Sequence, residues 1–194
     1  MEIGTTKAVQ DRLKTTKIEE SKGALLVFCW DTHLTKIKGR NVLFIVNASN
    51  RYTIAMTDIE PRNWNYYTMY ISRVIHGVMQ EMGYSENQIG QYFKMSGDTT
   101  VTKTHGRKSV GGINRMVMDA QYFGKKLEKE AKYQWELSEY LNRDICQPEG
   151  FDAYGYPSEL FKLDMERLGI ATKKEPAKVI DFAQYIEKNR GTND

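Results

Sequence analysis

The stretch ALLVFCWDTHLTKIKGRNVLFIVNASNRYTIAM, residues 24–56, decides the fold class of this protein. Its apolar and β-branched runs predict four extended segments, at residues 24–31, 34–37, 41–47 and 52–56. The turn residues Lys38-Gly39-Arg40-Asn41 favour a hairpin between the second and third segments. Segments that follow one another this closely are expected to pair as an antiparallel meander, and its apolar face needs helices to cover it.

Helices that can cover the meander follow directly in the sequence. Large apolar residues recur at helical spacing over residues 61–82, with Pro61 just inside the start. Ser85, with Gln88 three residues later, is the capping-box signature of a second, shorter helix. Two further helices are predicted to begin near Ser109 and at Pro157.

The sequence therefore predicts an α+β fold, with an antiparallel meander sheet of about four to five strands and helices packed mainly on one face. Residues 1–169 are predicted to form a single domain that opens with a short helix over Lys7–Leu13, capped by Thr5 or Thr6. Residues 125–147 change to a charged composition and are predicted to be a helical insertion. Residues 170–194 are predicted to be a lysine-rich linker followed by a C-terminal amphipathic helix.

Length and composition restrict the class of protein. The 194 residues are enough to bury a real core, and the net charge of +3 is small for a dedicated nucleic-acid coat protein. No stretch has the composition of a signal peptide or the apolar length of a membrane span. Cys29 and Cys146 lie far apart without metal-ligand spacing, so we predict reduced thiols in a cytoplasmic protein.

The best candidate for chemistry is the basic stretch VTKTHGRKSVGGINRMVM, residues 101–118, which contains no carboxylate. It is predicted to run from a strand through a turn into a helix. A helix N-terminus offers unpaired N–H groups and partial positive charge, which stabilise a phosphate or carboxylate. We therefore predict an anion site, although a solvated basic turn would have the same composition. The predicted ligand-binding residues are Lys103, His105, Arg107, Lys108, Ser109, Arg115 and, from a turn of the meander, Arg51.

Other kinds of site have weaker support in the sequence. His33, His76 and His105 show no metal-ligand spacing, so neither a metal nor another cofactor is predicted. Cys29 lies in an apolar strand, which is typical of an inert thiol, and no nucleophile motif occurs. No catalytic residue is therefore predicted. Aromatic side chains beside the helical stripe, such as Tyr66, leave base stacking open.

The order of several short motifs resembles a known family. The motifs are Thr6-Lys7, Trp30 with Leu34, Leu43–Asn47, Lys103-Thr104-x-x-Arg107-x-x-x-Gly111-x-x-Asn114, Leu141-Asn142-Arg143 and Tyr156-Pro157. Together they resemble, over about residues 5–163, a family of small bacterial and phage proteins classed only as a domain of unknown function. The resemblance implies a compact α+β domain and implies no activity, cofactor or catalytic residue. Lys108 and Arg115 depart from the family-like pattern and make this chain more basic at the turn.

The predicted function is that of a non-enzymatic protein that binds a nucleotide-like anionic small molecule or an acidic protein surface. The resemblance to proteins shared by phages and bacteria suggests a role in defence or counter-defence. The alternative is an enzyme that acts on a nucleotide or nucleic acid, with His105 as general base near Arg107. Nucleic acid as a binding partner is less favoured, no membrane partner is predicted, and a homo-oligomer is compatible with the sequence.

Overall fold

The computed structural model describes residues 1–15 and 18–172 of the chain. These residues form a mixed α+β fold with a five-stranded sheet at its centre. The strands are β1 (Glu2–Thr5), β2 (Cys29–Ile37), β3 (Arg40–Asn47), β4 (Thr53–Thr57) and β5 (Thr100–Lys103). Their order across the sheet is β4-β3-β2-β1-β5.

Seven α-helices accompany the sheet in the described part of the chain. They are α1 (Lys7–Leu13), α2 (Pro61–Asn65), α3 (Tyr67–Glu81), α4 (Glu86–Ser96), α5 (Gly106–Gln121), α6 (Trp135–Asn142) and α7 (Pro157–Arg167). Thr6 is the N-cap of α1, and Ser85 with Gln88 forms the predicted capping box at α4. The sole helix over residues 125–147 is α6, separate from α5. The predicted C-terminal helix falls mostly within residues 173–194, which lie outside the described residues.

The predicted antiparallel meander is confirmed for β2, β3 and β4, which pair in that order. The expectation of a wholly antiparallel sheet is wrong, because β1 pairs in parallel with both β2 and β5. Long connections join these parallel neighbours, as a crossover requires. The predicted segment 34–37 is also not a strand of its own. It is the end of β2, which pairs with β3 continuously from Trp30 to Ile37.

Helices cover both faces of the sheet, which corrects the prediction of helices mainly on one face. On the first face, α3, α4 and α7 pack over residues such as Trp30 and Ile45. On the second face, α5 and α6 pack over residues such as Val42 and Phe44. The physical reason lies in β3, where five consecutive apolar side chains, Val42–Val46, are all buried. A strand that is apolar on both faces needs cover on both.

The second face of the sheet changes from apolar to polar where β1 joins it. Glu2 is in register with Cys29 on one side and Thr100 on the other, while Gly4 is in register with Asp31 and Thr102. Side chains in register, and those two residues apart, share a face, so these residues form two polar rows. The start of α5 lies over them.

No helix among the described residues has the length and apolar character needed to cross a bilayer.

Candidate functional site

A cluster of buried polar side chains lies between the first turn of α5 and strands β1 and β2. Its members, which we call the buried polar cluster, are Glu2, Cys29, Asp31, His105 and Ser109. His105 is 8% exposed, Glu2 is 4% exposed, and Asp31 and Cys29 are fully buried. Charged side chains are rarely buried to this degree unless they are paired, so their contacts decide what the cluster can do.

His105 lies between two carboxylates. Its Nδ1 is 2.8 Å from Asp31 Oδ1, and its Nε2 is 3.0 Å from Glu2 Oε2. Burial works against a charged imidazole, but the hydrogen bond and the negative charge of Asp31 outweigh it and raise the pKa of His105 to about 10. With no metal bound, His105 therefore carries both ring protons at neutral pH and balances part of the carboxylate charge.

Glu2 is held in place from its other side by the chain before β2. Its Oε2 accepts a hydrogen bond from Ser21 Oγ at 2.6 Å, and its Oε1 accepts one from the Lys22 amide at 2.8 Å. Burial favours the protonated acid, but these hydrogen bonds and His105 outweigh burial and lower the pKa of Glu2. Glu2 is therefore a fixed carboxylate.

Gly4 makes room for the cluster. A Cβ atom at this position would lie 1.8 Å from Asp31 Oδ1 and 3.0 Å from His105 Nδ1. The Asp31 carboxylate and the imidazole occupy the space that any side chain at position 4 would need. The absence of a side chain here is therefore a requirement of the cluster.

The start of α5 receives an anion, and that anion is the chain's own Asp31. Strand β5 leads through a short turn into α5, as the sequence predicts, but the helix begins at Gly106 rather than near Ser109. The Asp31 carboxylate accepts the N–H of His105, the N-cap residue of α5, and also the hydroxyl of Ser109. It stabilises the helix start in the way predicted for an external ligand.

A second feature, the basic cleft, lies alongside the cluster and has a volume of about 230 Å³. Its polar lining consists chiefly of Arg51, Lys108, Ser109, Arg115, Gln147 and Glu149. The first four are predicted ligand-binding residues, so the structure brings together four of the seven. Ser109 belongs to both features, because the residue lines the cleft and its hydroxyl donates to Asp31.

Each cation of the basic cleft is positioned by a contact of its own. Arg51 Nη2 donates to the Gly112 carbonyl at 3.1 Å, and Lys108 Nζ donates to the Pro148 carbonyl at 3.1 Å. Arg115 Nε lies 3.1 Å from Asp119 Oδ1 on the next turn of α5. The guanidinium and ammonium groups keep further N–H donors for a ligand.

The other three predicted residues are placed elsewhere. Lys103 forms an exposed ion pair with Glu20, and Arg107 is an exposed residue in the first turn of α5. His105 lies in the buried polar cluster, with both ring nitrogens within hydrogen-bond distance of a carboxylate. The predicted anion site is therefore divided between the cleft, the cluster and the exposed surface.

Sequence reasoning missed Glu2, Asp31 and the proximity of Cys29 to them. A sequence signal for Asp31 exists, because a carboxylate inside the run Cys29–Leu34 is unusual for a buried strand. Glu2 had no comparable signal, since β1 was not predicted as a strand. The Glu2 carboxylate, the Cys29 thiol and the His105 imidazole each offer one atom, and these atoms lie within 4.8 Å of one another. They form a group of residues that could hold a metal ion.

Comparison with known proteins gives a single finding. Neither the curated proteins nor the solved structures include a match to the chain. A family model described as Domain of unknown function (DUF6933) matches residues 2–160, which include every strand and most of the helices described above. The predicted membership of a family classed as a domain of unknown function is confirmed, and the chain belongs to the DUF6933 family.

Proposed function

We propose that this protein binds an anionic small molecule of the nucleotide type and holds its phosphate in the basic cleft. The observation that carries the proposal is the convergence of Arg51, Lys108 and Arg115 on one cleft. Glu149 is the one carboxylate among the lining residues, so the formal charge of the lining is positive. Arginine, lysine and hydroxyl donors are the groups that bind phosphate.

The size of the basic cleft suggests how such a ligand would lie. A volume of about 230 Å³ is below the range of pockets that enclose a whole drug-sized molecule. A larger cleft of about 820 Å³ shares Arg115 with it and is lined by Trp135 and Tyr140, each 42% exposed. A base stacked on one of these rings would therefore lie in a cleft that also contains Arg115.

An experiment with matched variants tests this proposal. Thermal shift and calorimetry would compare nucleoside mono-, di- and triphosphates, cyclic nucleotides and ADP-ribose with the nucleosides that lack phosphate. Lys108→Ala and Arg115→Ala should weaken binding about tenfold or more, because each removes a charged hydrogen-bond donor to the phosphate. Arg107→Ala is the control, since it removes the same kind of charge from the same helix outside the cleft.

Two outcomes would contradict the proposal. Equal losses in Arg107→Ala and Lys108→Ala would mean that the whole basic turn attracts anions without a defined site. No binding of any phosphate compound would favour the acidic protein surface as the partner.

One observation favours the alternative function, an enzyme that acts on a nucleotide or nucleic acid. A catalytic histidine is commonly oriented by a carboxylate at one ring nitrogen, and Asp31 has that position at Nδ1 of His105, but Glu2 occupies Nε2, the nitrogen that a general base would use. However, the burial of His105 and the exposed position of Arg107 give this pair no shared cleft. Turnover of a nucleotide that is lost in His105→Gln and in Arg107→Ala would support the enzyme.

Location and biological role complete the proposal. Cys29 and Cys146 are both free, buried thiols, which supports a reducing compartment such as the cytoplasm. A role in conflict between phages and bacteria and assembly as a homo-oligomer stay predictions. Nucleic acid remains less favoured than a small anion as the ligand.

A further inference from the structure

We propose that Glu2, Cys29 and His105 form a binding site for one zinc ion. Their ligand atoms, a carboxylate oxygen, a thiol sulfur and an imidazole nitrogen, lie within 4.8 Å of one another. Zinc takes these three kinds of ligand in proteins, and sites with three protein ligands keep a fourth position for water. The proposal is independent of the basic cleft and of the nucleotide.

The three ligands come from parts of the fold that hold them firmly. Glu2 and Cys29 are register partners on the neighbouring strands β1 and β2, and therefore share a face of the sheet. His105 is the N-cap residue of α5, which begins over this face. All three are buried, so the site would lie in a dry environment with little freedom of the side chains.

The contacts around the ligands match those that surround metal-binding histidines. Such a histidine usually donates its second ring N–H to a carboxylate, which fixes the ring and its tautomer. Asp31 Oδ1 is placed 2.8 Å from Nδ1 of His105, so that Nε2 is directed toward Glu2. Asp31 is in turn fixed by the Ser109 hydroxyl. Gly4 leaves the space that this arrangement needs.

An unpartnered buried hydroxyl supplies independent support. Thr102 is fully buried, and its Oγ1 has no hydrogen-bond partner among the described residues. Thr102 is in register with Gly4, which places its side chain on the face that carries Glu2 and Asp31. Buried hydroxyl groups are normally hydrogen-bonded. The hydroxyl and the three ligands lie on the same face of the sheet, so a water molecule on the fourth position of the ion is a candidate partner for it.

Cys29 distinguishes a zinc site from an ion-paired triad. A protonated His105 between Asp31 and Glu2 forms an ion-paired triad that does not need the Cys29 thiol as a ligand. A zinc ion needs the thiolate as its third ligand, and binding would release the protons of the thiol and of Nε2. The effect of replacing Cys29 therefore separates the two explanations.

The experiment uses the full chain without a polyhistidine tag, treated with a chelator and then titrated with zinc in competition with a chromophoric chelator. We expect one zinc ion per chain. Cys29→Ser should weaken binding at least tenfold. Cys146→Ser is the matched control, because Cys146 is a buried thiol that packs with Phe151 and Leu160 in a separate cluster. This variant should bind zinc as the wild type does.

Titration with cobalt gives a second, spectroscopic readout of the same site. A thiolate bound to cobalt absorbs in the near ultraviolet by charge transfer, so the wild-type chain and Cys146→Ser should both show this band. Glu2→Gln should weaken cobalt binding, whereas Glu20→Gln, which changes an exposed carboxylate, should not.

Three results would overturn the proposal. They are the failure of the wild-type chain to bind zinc one to one, unchanged zinc affinity in Cys29→Ser, and a cobalt complex without the thiolate band. If Cys29→Ser does not fold, the cobalt spectrum of the wild-type chain decides alone.

Discussion

His105 Nδ1 lies 2.8 Å from Asp31 Oδ1, although 74 residues separate the two in the chain. This contact joins the N-terminal part of β2 to the start of α5. The same carboxylate also accepts the N–H of His105 and the hydroxyl of Ser109. One buried aspartate therefore fixes the start of α5 to the sheet, and the later turns of the helix pack through the apolar cluster of the second face.

Replacing that aspartate should be costly for stability. Asp31→Asn removes a buried negative charge and leaves His105 with one carboxylate instead of two. Breaking a buried ion pair by removing one partner typically costs about 3–5 kcal/mol in unfolding free energy. Urea denaturation of the metal-free protein measures this. Asp119→Asn, which affects an exposed pair with Arg115, is the control and should change stability by less than about 0.5 kcal/mol. Equal effects would show that Asp31 does not hold α5.

Gly4→Ala tests the space that the buried polar cluster needs. The added Cβ would meet Asp31 Oδ1 at 1.8 Å, so the aspartate or the strand has to move. Overpacking of this kind costs on the order of 1–3 kcal/mol. Gly90→Ala in α4 is the matched control, because nothing lies within 4 Å of its added Cβ. The control should stabilise the protein by about 0.5–1 kcal/mol, since alanine favours a helix. A Gly4→Ala protein as stable as the wild type would contradict the packing described here.

His33 should make the protein less stable in mild acid. Burial lowers the pKa of His33 below its usual value near 6.5, so the unfolded chain takes up this proton more readily than the folded chain. Its contribution to stability is therefore complete above about pH 6.5 and is lost as the pH falls through the folded pKa. Between pH 7.5 and pH 5.5 the wild type should lose more unfolding free energy than His33→Gln. An NMR titration of His33 with a midpoint at or above 6.5 would disagree with this prediction.

Tyr92 should contribute to stability through its hydroxyl as well as its ring. The hydroxyl accepts a hydrogen bond from Trp30 Nε1 at 2.9 Å and donates one to the Val27 carbonyl at 2.7 Å. Tyr92→Phe leaves Trp30 Nε1 buried and unpaired, while the Val27 carbonyl keeps only its hydrogen bond from Asn47 Nδ2, and this loss costs about 1–3 kcal/mol. Tyr122→Phe is the control, because Tyr122 is 79% exposed and should show no change in thermal denaturation. Equal melting temperatures for the two variants would rule out this role.

Sequence patterns correctly predicted the features of the fold that depend on residues close together in the chain. The hairpin between β2 and β3 and the helix cap at Ser85 were predicted at the residues where they occur, and the cap of α1 is Thr6, one of the two residues predicted for it. Turn chemistry and capping depend on residues only a few positions apart, so a single sequence contains the necessary information.

Strand β1 shows why the sheet was predicted only in part. Glu2–Thr5 is a four-residue strand with a central glycine and gives almost no β signal by itself. It forms because β2 and β5 offer hydrogen-bonding edges on both of its sides. Its parallel pairing with residues about 27 and 98 positions away along the chain cannot be read from local alternation.

The candidate sites, like the fold, were predicted only where the cause lies in residues close together in the sequence. Basic charge at residues 103–115 and the strand–turn–helix order around it were evident in the sequence, and four of the predicted residues meet in the basic cleft.

The sequence alone determined the fold class, the meander and the local helix signals, because these follow from short-range periodicity and turn chemistry. Only the tertiary structure decided that Asp31 occupies the start of α5 and that Glu2, Cys29 and His105 converge. Strand register and helix packing, which bring distant residues together, are properties of the whole fold.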